Sequence, residues 1–331
     1  MMINREILSR HAVALYDFCT YPAVRYKILY RILDVPYDDP VLTALRPDFL
    51  ASDIVEEMFT LQDRDGGWGP LWSKDYSVKS KIPTSMTGID RCQYIGLALE
   101  DRDILFMAKE YLESFLLGTA REKNPYEKNE RAVPWGKARI CTALEGLERD
   151  NPLCDETFRQ WEYIAGRAYL DGEYSYERDR AAQHDVFLTR EDRLIPMQCA
   201  LLLKRRERVP ESLEEAMLRH IGRHAAEHGH FWDKTVEVLP ESFYYKYTRR
   251  WMSTFHQVNQ FRGSVMYLSG AVEWLMAQAR EDGLWDWGTQ VRDPWGYFGY
   301  HACGRQSVHN RVVDCSMEIL GFLKIFLDHN T

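Results

Sequence analysis

The stretch QDRDGGWG at Gln62–Gly69 and its relative QAREDGLWDWG at Gln278–Gly288 decide the fold of this chain. Each follows an amphipathic segment of helical periodicity and places an Asp-Gly step just before a tryptophan. Weaker copies lie between them, so that a glycine recurs at intervals of 52 to 57 residues, and the position two residues later is aromatic in four of five copies. The period predicts a tandem repeat. Its aligned glycines are Gly66, Gly118, Gly172, Gly229 and Gly283.

Each repeated turn has a structural explanation. Glycine readily adopts the left-handed conformation that ends a helix, and the aromatic residue can pack back over the preceding turn. Trp68 and Trp285 therefore need no catalytic role. Apolar residues at helical spacing predict outer helices before the turns, as at Leu50–Leu61 and Ile104–Phe115. Broader apolar surfaces predict inner helices after them, at Thr84–Leu99, Trp135–Leu147, Ile195–Lys204, Tyr245–Arg262 and Val312–Leu327.

The Gln, the acidic turn and the Trp resemble the QW repeat of squalene and oxidosqualene cyclases, which the β subunits of protein prenyltransferases share more loosely. In those families each repeat is an outer and an inner helix, and the pairs close into an α/α toroid. The resemblance implies an all-α chain that forms one α/α-toroid domain over residues 1–331. That domain would contain N-terminal helices within residues 1–48 and about five to six helix-pair repeats.

Composition narrows the class of protein. With 331 residues, 45% of them apolar, the chain can bury a large core. It contains no run of 18 apolar residues and its start lacks the layout of a signal peptide, so we expect a cytoplasmic protein without an integral membrane segment. The net charge is −8 without a long basic run, so nucleic acid is not an expected partner. Seven cysteines without a CxxC pair predict buried thiols rather than a disulfide framework.

The last predicted inner helix carries the candidate chemistry. Its segment Asp314-Cys315-Ser316-Met317-Glu318 resembles the DCTAE motif of oxidosqualene cyclases, with Ser316 for Thr and Met317 for Ala. In that family the Asp protonates an epoxide and the following Cys helps to orient it. The resemblance implies that Asp314 is a general acid assisted by Cys315, with His309 or His301 as a hydrogen-bonding neighbour. The DxDD motif of squalene-hopene cyclases is absent, which favours an epoxidised isoprenoid over an unactivated alkene.

Acid-initiated cyclisation makes strict physical demands. The acid must stay protonated, which burial of a carboxyl favours, and the carbocation needs aromatic faces and no water. The chain has 10 Trp, 19 Tyr and 14 Phe, which either line such a cavity or fill wedge-shaped gaps between helices. We expect a small hydrophobic isoprenoid substrate, no cofactor, and either a single chain or a homo-oligomer that completes the cavity. Predicted substrate-binding residues are Trp135, Trp295, Tyr297, Phe298 and Tyr300, with Arg139 and Arg305 as candidates for a diphosphate.

Alternatives remain open at this stage. Cysteines recur in the inner helices, at Cys92, Cys141, Cys199 and Cys315, so Asp314 is also explained as a helix N-terminal acid beside a packing cysteine. The pair Asp90 and Cys92, with His301, loosely resembles the zinc ligands of prenyltransferase β subunits. In a non-catalytic binding toroid, Asp314 would pair with Arg311 or Arg139. A glycan lyase or hydrolase would instead use the polar set Tyr297, Tyr300, His301, Arg305, His309 and Asn310.

Overall fold

The computed structural model describes residues 3–72, 81–101, 103–120, 133–187, 209–224, 238–291 and 307–330. Within these ranges every regular element is helical, which confirms the all-α class. A π-helical turn at Ile28–Ile32 follows α2, and a 3-10 turn at Pro152–Cys154 precedes α8. The α-helices are α1 (Arg5–Phe18), α2 (Pro22–Lys27), α3 (Pro40–Leu50), α4 (Asp53–Leu61), α5 (Ser85–Ile95), α6 (Asp103–Leu116), α7 (Val133–Leu147), α8 (Asp155–Ala168), α9 (Tyr176–Phe187), α10 (Glu211–His224), α11 (Thr248–Val258), α12 (Val265–Ala277) and α13 (Val308–Asn330).

The repeated glycines adopt the predicted left-handed conformation, but Gly66 and Gly283 lie in turns after their helices, because α4 ends at Leu61 and α12 ends at Ala277. Gly66, Gly118, Gly172 and Gly283 have φ values of 89°, 70°, 80° and 78°. Each donates its N–H to the carbonyl oxygen three residues earlier, at 2.9, 3.2, 2.9 and 2.9 Å respectively. These four glycines therefore share one turn geometry, and the number of repeats stays a prediction. Gly229 lies outside the described residues.

Four of the predicted inner helices are present as α5, α7, α11 and α13, whereas residues 195–204 lie outside the described ranges. A helix that the apolar pattern did not predict is α9, which begins four residues after Gly172. Its buried side chains include Asp179 and Gln183, so it lacks an apolar stripe. Instead Tyr174 Oη and Gln183 Nε2 donate to the Asp179 carboxylate at 2.6 and 2.7 Å.

By its internal contacts the chain divides into two compact units. The second unit comprises Leu61–Asp90 and Ala98–Gly229. In it α6, α7, α8 and α9 pack in sequence, each against the next. The Gly66 turn belongs to this unit. There the Trp68 ring lies so close to Gly88 of α5 that any side chain at residue 88 would overlap it.

The first unit comprises Met1–Thr60, Arg91–Leu97 and His230–Thr331. In it α1, α12 and the π-helical turn pack against α13, and α2 packs against α3.

Ion pairs link the two ends of the chain. Arg5 binds Asp34 at 3.2 Å and also binds Asp328, while Lys324 binds Asp34 at 3.0 Å. Closure of the helix pairs into a single ring stays a prediction.

Five cysteines lie in the described ranges, and all five are buried without a disulfide between them. This confirms the expected thiols for Cys19, Cys92, Cys141, Cys154 and Cys315. Among the helices that the structure describes, none combines the length and the apolar character needed to cross a membrane.

Candidate functional site

The turn after α12 is hydrogen-bonded to α13 at Ser316. Trp285 donates its backbone N–H to Ser316 Oγ at 2.9 Å, and its indole Nε1–H to the Leu275 carbonyl at 2.8 Å. The indole, the serine and Cys315 are each 0% exposed. The neighbouring Asp314 is 3% exposed. The QW-like turn therefore holds the predicted acid in the interior of the first unit.

A second carboxylate follows Asp314 one helical turn later. Residues four apart lie on the same face of a helix, so Asp314 and Glu318 share a face of α13. Arg249 of α11 donates from Nη2 to Glu318 Oε2 at 3.1 Å, and both side chains are more than nine-tenths buried. The guanidinium also lies over the Trp287 ring at 5.1 Å. Glu318 is thus held by a buried cation that is itself stacked on an aromatic residue.

Lys27, at the junction of α2 and the π-helical turn, is also buried, with 9% exposure. Its Nζ donates to the Tyr94 carbonyl oxygen and lies 4.0 Å from the centre of the Tyr94 ring. The π geometry that follows is seen in the bond from the Leu33 N–H to the Ile28 carbonyl at 2.9 Å. Single π turns within helices are frequent at functional sites.

The ionisable groups of this region interact electrostatically. Burial, assisted by Arg31, lowers the pKa of Lys27 from 10.5 to about 7, while the charges of Glu318 and Asp314 oppose that shift. Burial, assisted by Lys27, lowers the pKa of His256 from 6.5 to about 4. His256 is therefore neutral at pH 7, when Lys27 is close to half protonated. We call Lys27, Arg249, His256, Asp314 and Glu318 the buried charge cluster.

The cysteines near Asp314 are thiols, not thiolates. Burial raises the pKa of Cys315 well above its usual value, against the opposing effect of a backbone hydrogen bond from Trp287. Burial likewise raises the pKa of Cys19 to about 11, with a smaller contribution from Asp314. Neither sulfur is a nucleophile at neutral pH, because the thiolate is the reactive form. Cys315 contacts the Trp287 turn and is positioned by it.

The first turn of α13 faces α1 and the segment before α2. His309 stacks on Phe18 with ring centres 4.6 Å apart, and Tyr21 Oη donates to Asn310 Oδ1 at 2.8 Å. Arg311 donates from Nε and Nη2 to the Asp286 carboxylate at 3.2 and 3.0 Å. The guanidinium of Arg311 is therefore bound to the QW-like turn.

The remaining predicted site residues fall in three groups. Asp314, Cys315 and His309 lie together on α13 in the first unit. Trp135 and Arg139 lie on α7 in the second unit, with the guanidinium 5.1 Å from the indole centre. The others lie outside the described residues. They are His301, Trp295, Tyr297, Phe298, Tyr300 and Arg305.

The proposed zinc set stays a prediction. Asp90 is exposed and Cys92 is fully buried. Within the part of the chain that the structure describes, no group of three His, Cys, Asp or Glu side chains could hold a metal ion. The third member of the set, His301, is not among the described residues.

Four members of the buried charge cluster were not predicted from the sequence. Glu318 could have been found, because it lies four residues after Asp314 in the same motif. Lys27, Arg249 and His256 gave no such signal, because no motif or spacing connects them with Asp314 in the sequence. Only packing brings them together.

No family model, curated protein or solved structure matches this chain. Its function is therefore inferred from the cluster itself.

Proposed function

We propose that this chain is a cytoplasmic enzyme resembling class II terpene cyclases, in which Asp314 starts the cyclisation of an isoprenoid by proton transfer. Its helix pairs would close into an α/α toroid, alone or completed by a second copy. The substrate would be small and hydrophobic, and an epoxide is the better candidate because it accepts a proton more readily than an unactivated alkene.

The observation that supports this proposal is the environment of Asp314. Its side chain is 3% exposed, and burial of a carboxyl favours the neutral form that carries a transferable proton.

The proposed reaction begins with proton transfer from Asp314. The Asp314 hydroxyl proton passes to the epoxide oxygen, the C–O bond to the more substituted carbon breaks, and a carbocation forms there. A π bond of the same substrate then attacks that carbon and closes a ring. Loss of a proton from the last cation ends the reaction. Aromatic faces would stabilise the cations.

The test is incubation of the full chain with a panel of linear isoprenoid alcohols, their diphosphates and their terminal epoxides, with products analysed by gas chromatography and mass spectrometry. We expect a cyclised product from at least one epoxide. Asp314→Asn should lower its rate of formation about 10²- to 10⁴-fold, the usual contribution of a general acid.

A matched control is Asp282→Asn, which removes an exposed carboxylate of the neighbouring turn and should leave the rate within twofold. Asp314→Glu, which restores a carboxyl group, should recover part of the lost rate. Equal rates for the wild type and folded Asp314→Asn would refute the role of Asp314. Absence of any cyclised product across the panel would refute the reaction class.

A further inference from the structure

Helix α12 has few polar side chains, although its own chain covers only one of its faces. Its 13 residues include a single charged side chain, Glu273. The buried face, which packs towards the core that contains α13, carries Leu268, Ala271, Val272 and Leu275. On the opposite face the Met266 side chain is 70% exposed. A helix with so little charge is normally covered all round, so the exposed face of α12 indicates a binding surface.

The exposed face has a symmetric pattern. Four exposed residues, in α12 and in the turn before it, are separated by four, three and four positions. Such spacing places side chains in one stripe along a helix, and here it reads the same from either end. The four residues, which we call the α12 stripe, are Arg262, Met266, Ser269 and Glu273.

The backbone extends the helical geometry of α12 back towards Arg262. The N–H groups of Met266 and Leu268 donate to the carbonyl oxygens of Gly263 and Ser264 at 3.2 and 2.9 Å. Ser264 has helical φ and ψ values of −56° and −21°. Arg262 therefore adjoins the first turn, at the end of the stripe opposite to Glu273.

A second copy placed antiparallel along the stripe matches it residue by residue. A two-fold axis that passes midway along the stripe places Arg262 opposite Glu273 of the partner subunit. The same axis places Met266 opposite Ser269 of the partner subunit, which sets a large side chain against a small one. Every contact occurs twice in a two-fold interface, so the stripe forms two pairs of opposite charge and two apolar contacts.

Two further features of this face agree with a helix packed against it. Gly270 is exposed beside Ser269, and a methyl group built on it meets no atom within 4 Å. Glycine weakens the interior of a helix, but it lets another backbone approach closely. Among the residues that the structure describes, Glu273 has no ion-pair partner in its own chain.

We propose that the α12 stripe is a self-association surface, through which two copies of this chain form a two-fold symmetric dimer with antiparallel α12 helices. A second copy is the partner because the order of charges and of side-chain sizes in the stripe is complementary to itself. A partner of one charge would match only one end. The dimer goes beyond the proposed cyclisation and does not depend on it.

The first experiment is analytical ultracentrifugation of the full chain at concentrations from about 1 to 200 µM, where we expect a reversible equilibrium between monomer and dimer. Met266→Asp places a carboxylate in the apolar contact and should raise the Kd at least about 30-fold. Because residue 266 is the second of α12, an acid there suits the helix N-terminus and should leave the monomer folded. The matched control is Val13→Asp on the exposed face of α1, which should leave the Kd within about twofold.

The second experiment tests the register by exchanging charges. Glu273→Arg sets like charges opposite each other at both ends of the interface and should raise the Kd about tenfold, as should Arg262→Glu. The double variant Arg262→Glu/Glu273→Arg restores opposite charges and should return the Kd to within about threefold of the wild type. Glu110→Arg, at an exposed position of α6 in the second unit, is the control and should have no effect.

A wild-type chain that stays monomeric up to about 200 µM would overturn the proposal. So would a dimer that folded Met266→Asp leaves intact, because its interface would lie elsewhere. Failure of the double variant to recover the affinity lost in the single variants would overturn the antiparallel register. A monomeric wild type that instead binds phosphatidylcholine vesicles would assign the stripe to a lipid surface and also refute a second copy. Sedimentation needs no substrate, so failure here is distinct from failure of the cyclase proposal.

Discussion

The turns at Gly66–Trp68 and Gly283–Trp285 are built in the same way. In each, the residue three before the glycine donates its N–H to the carbonyl of the residue after the glycine at 2.8 Å. In each, the tryptophan N–H donates to a buried serine hydroxyl at 2.9 Å, which is Ser85 in one turn and Ser316 in the other. The two copies therefore share one structural device that connects an outer helix to an inner helix.

The copies diverge when residues are counted from that serine. Asp314 and Glu318 correspond to Pro83 and Thr87, and Cys315 corresponds to Thr84. The two threonine hydroxyls form a hydrogen bond of 2.8 Å with each other. The turn is thus common to both copies, whereas the acidic pair belongs to one. Repetition of a structural element does not require an acid at this position, which favours a specific role for Asp314.

The same count explains why the cysteine pattern of the sequence misleads. Cys92 lies seven residues after Ser85, where the other copy has Leu323, so Cys92 and Cys315 occupy different positions of their repeats.

The glutamine also differs between the two copies. Gln62 donates from Nε2 to the carbonyls of Gly66 and Ile104 at 2.8 and 2.9 Å. In the last copy one extra residue separates the glutamine from the glycine, and Ala279 takes the corresponding place.

The largest expected difference between the copies is at their glycines. In Gly66→Ala, the new methyl group would meet the backbone carbonyl of Met107 and residue 66 would keep an unfavourable φ. We expect a loss of about 3–5 kcal/mol in the free energy of unfolding. In Gly283→Ala the nearest atom is His11 Nδ1 at 3.2 Å, which is also hydrogen-bonded to the Gly283 carbonyl oxygen. A shift of a few tenths of an ångström relieves this contact, so the loss should be about 1–2 kcal/mol.

Urea unfolding followed by circular dichroism measures both values. Equal losses at Gly66 and Gly283 would contradict the difference in packing that the structure assigns to the two turns.

The next effect concerns the buried ion pair that only the last copy has. Arg249→Met leaves the Glu318 carboxylate buried without its guanidinium, and we expect a loss of about 3 kcal/mol. Adding Glu318→Leu should recover most of that loss, because an apolar pair can replace a buried ion pair. Thermal and urea unfolding of the single and double variants gives the coupling energy.

The control for this pair is Thr87→Val at the corresponding position of the other copy. It removes one hydroxyl–hydroxyl bond, so the expected loss is only about 1 kcal/mol. A loss in the double variant as large as in Arg249→Met would show that the pair is not coupled.

The smallest effect should be the same in both copies. Ser85→Ala and Ser316→Ala each leave a buried tryptophan N–H without its acceptor, at a cost of about 1–2 kcal/mol. The two losses, measured by urea unfolding, should agree within about 0.5 kcal/mol. A loss of stability at only one of the two serines would contradict a common structural role for them.

Features carried by short segments were predictable from the sequence. The left-handed glycines, the tryptophans that pack against them and the helices that flank them follow from local backbone preference and apolar periodicity. Burial of Asp314 was foreseen from its place in an apolar helix, but α13 begins at Val308, so Asp314 is not the helix N-terminal acid of the alternative interpretation. By contrast, α9 was missed because its buried face carries Asp179 and Gln183, which only hydrogen bonds to neighbouring side chains make compatible with burial.

By itself, then, the sequence determined the helical class, the repeat and one buried acid, since each of these depends on residues close together in the chain. Tertiary structure alone decided that Lys27, Arg249 and His256 join Asp314 and Glu318. Electrostatic interaction depends on distance in space and on desolvation, and residues from the beginning of the chain and from its last third have no local pattern that records their proximity. The lowered pKa of Lys27 arises from that packing.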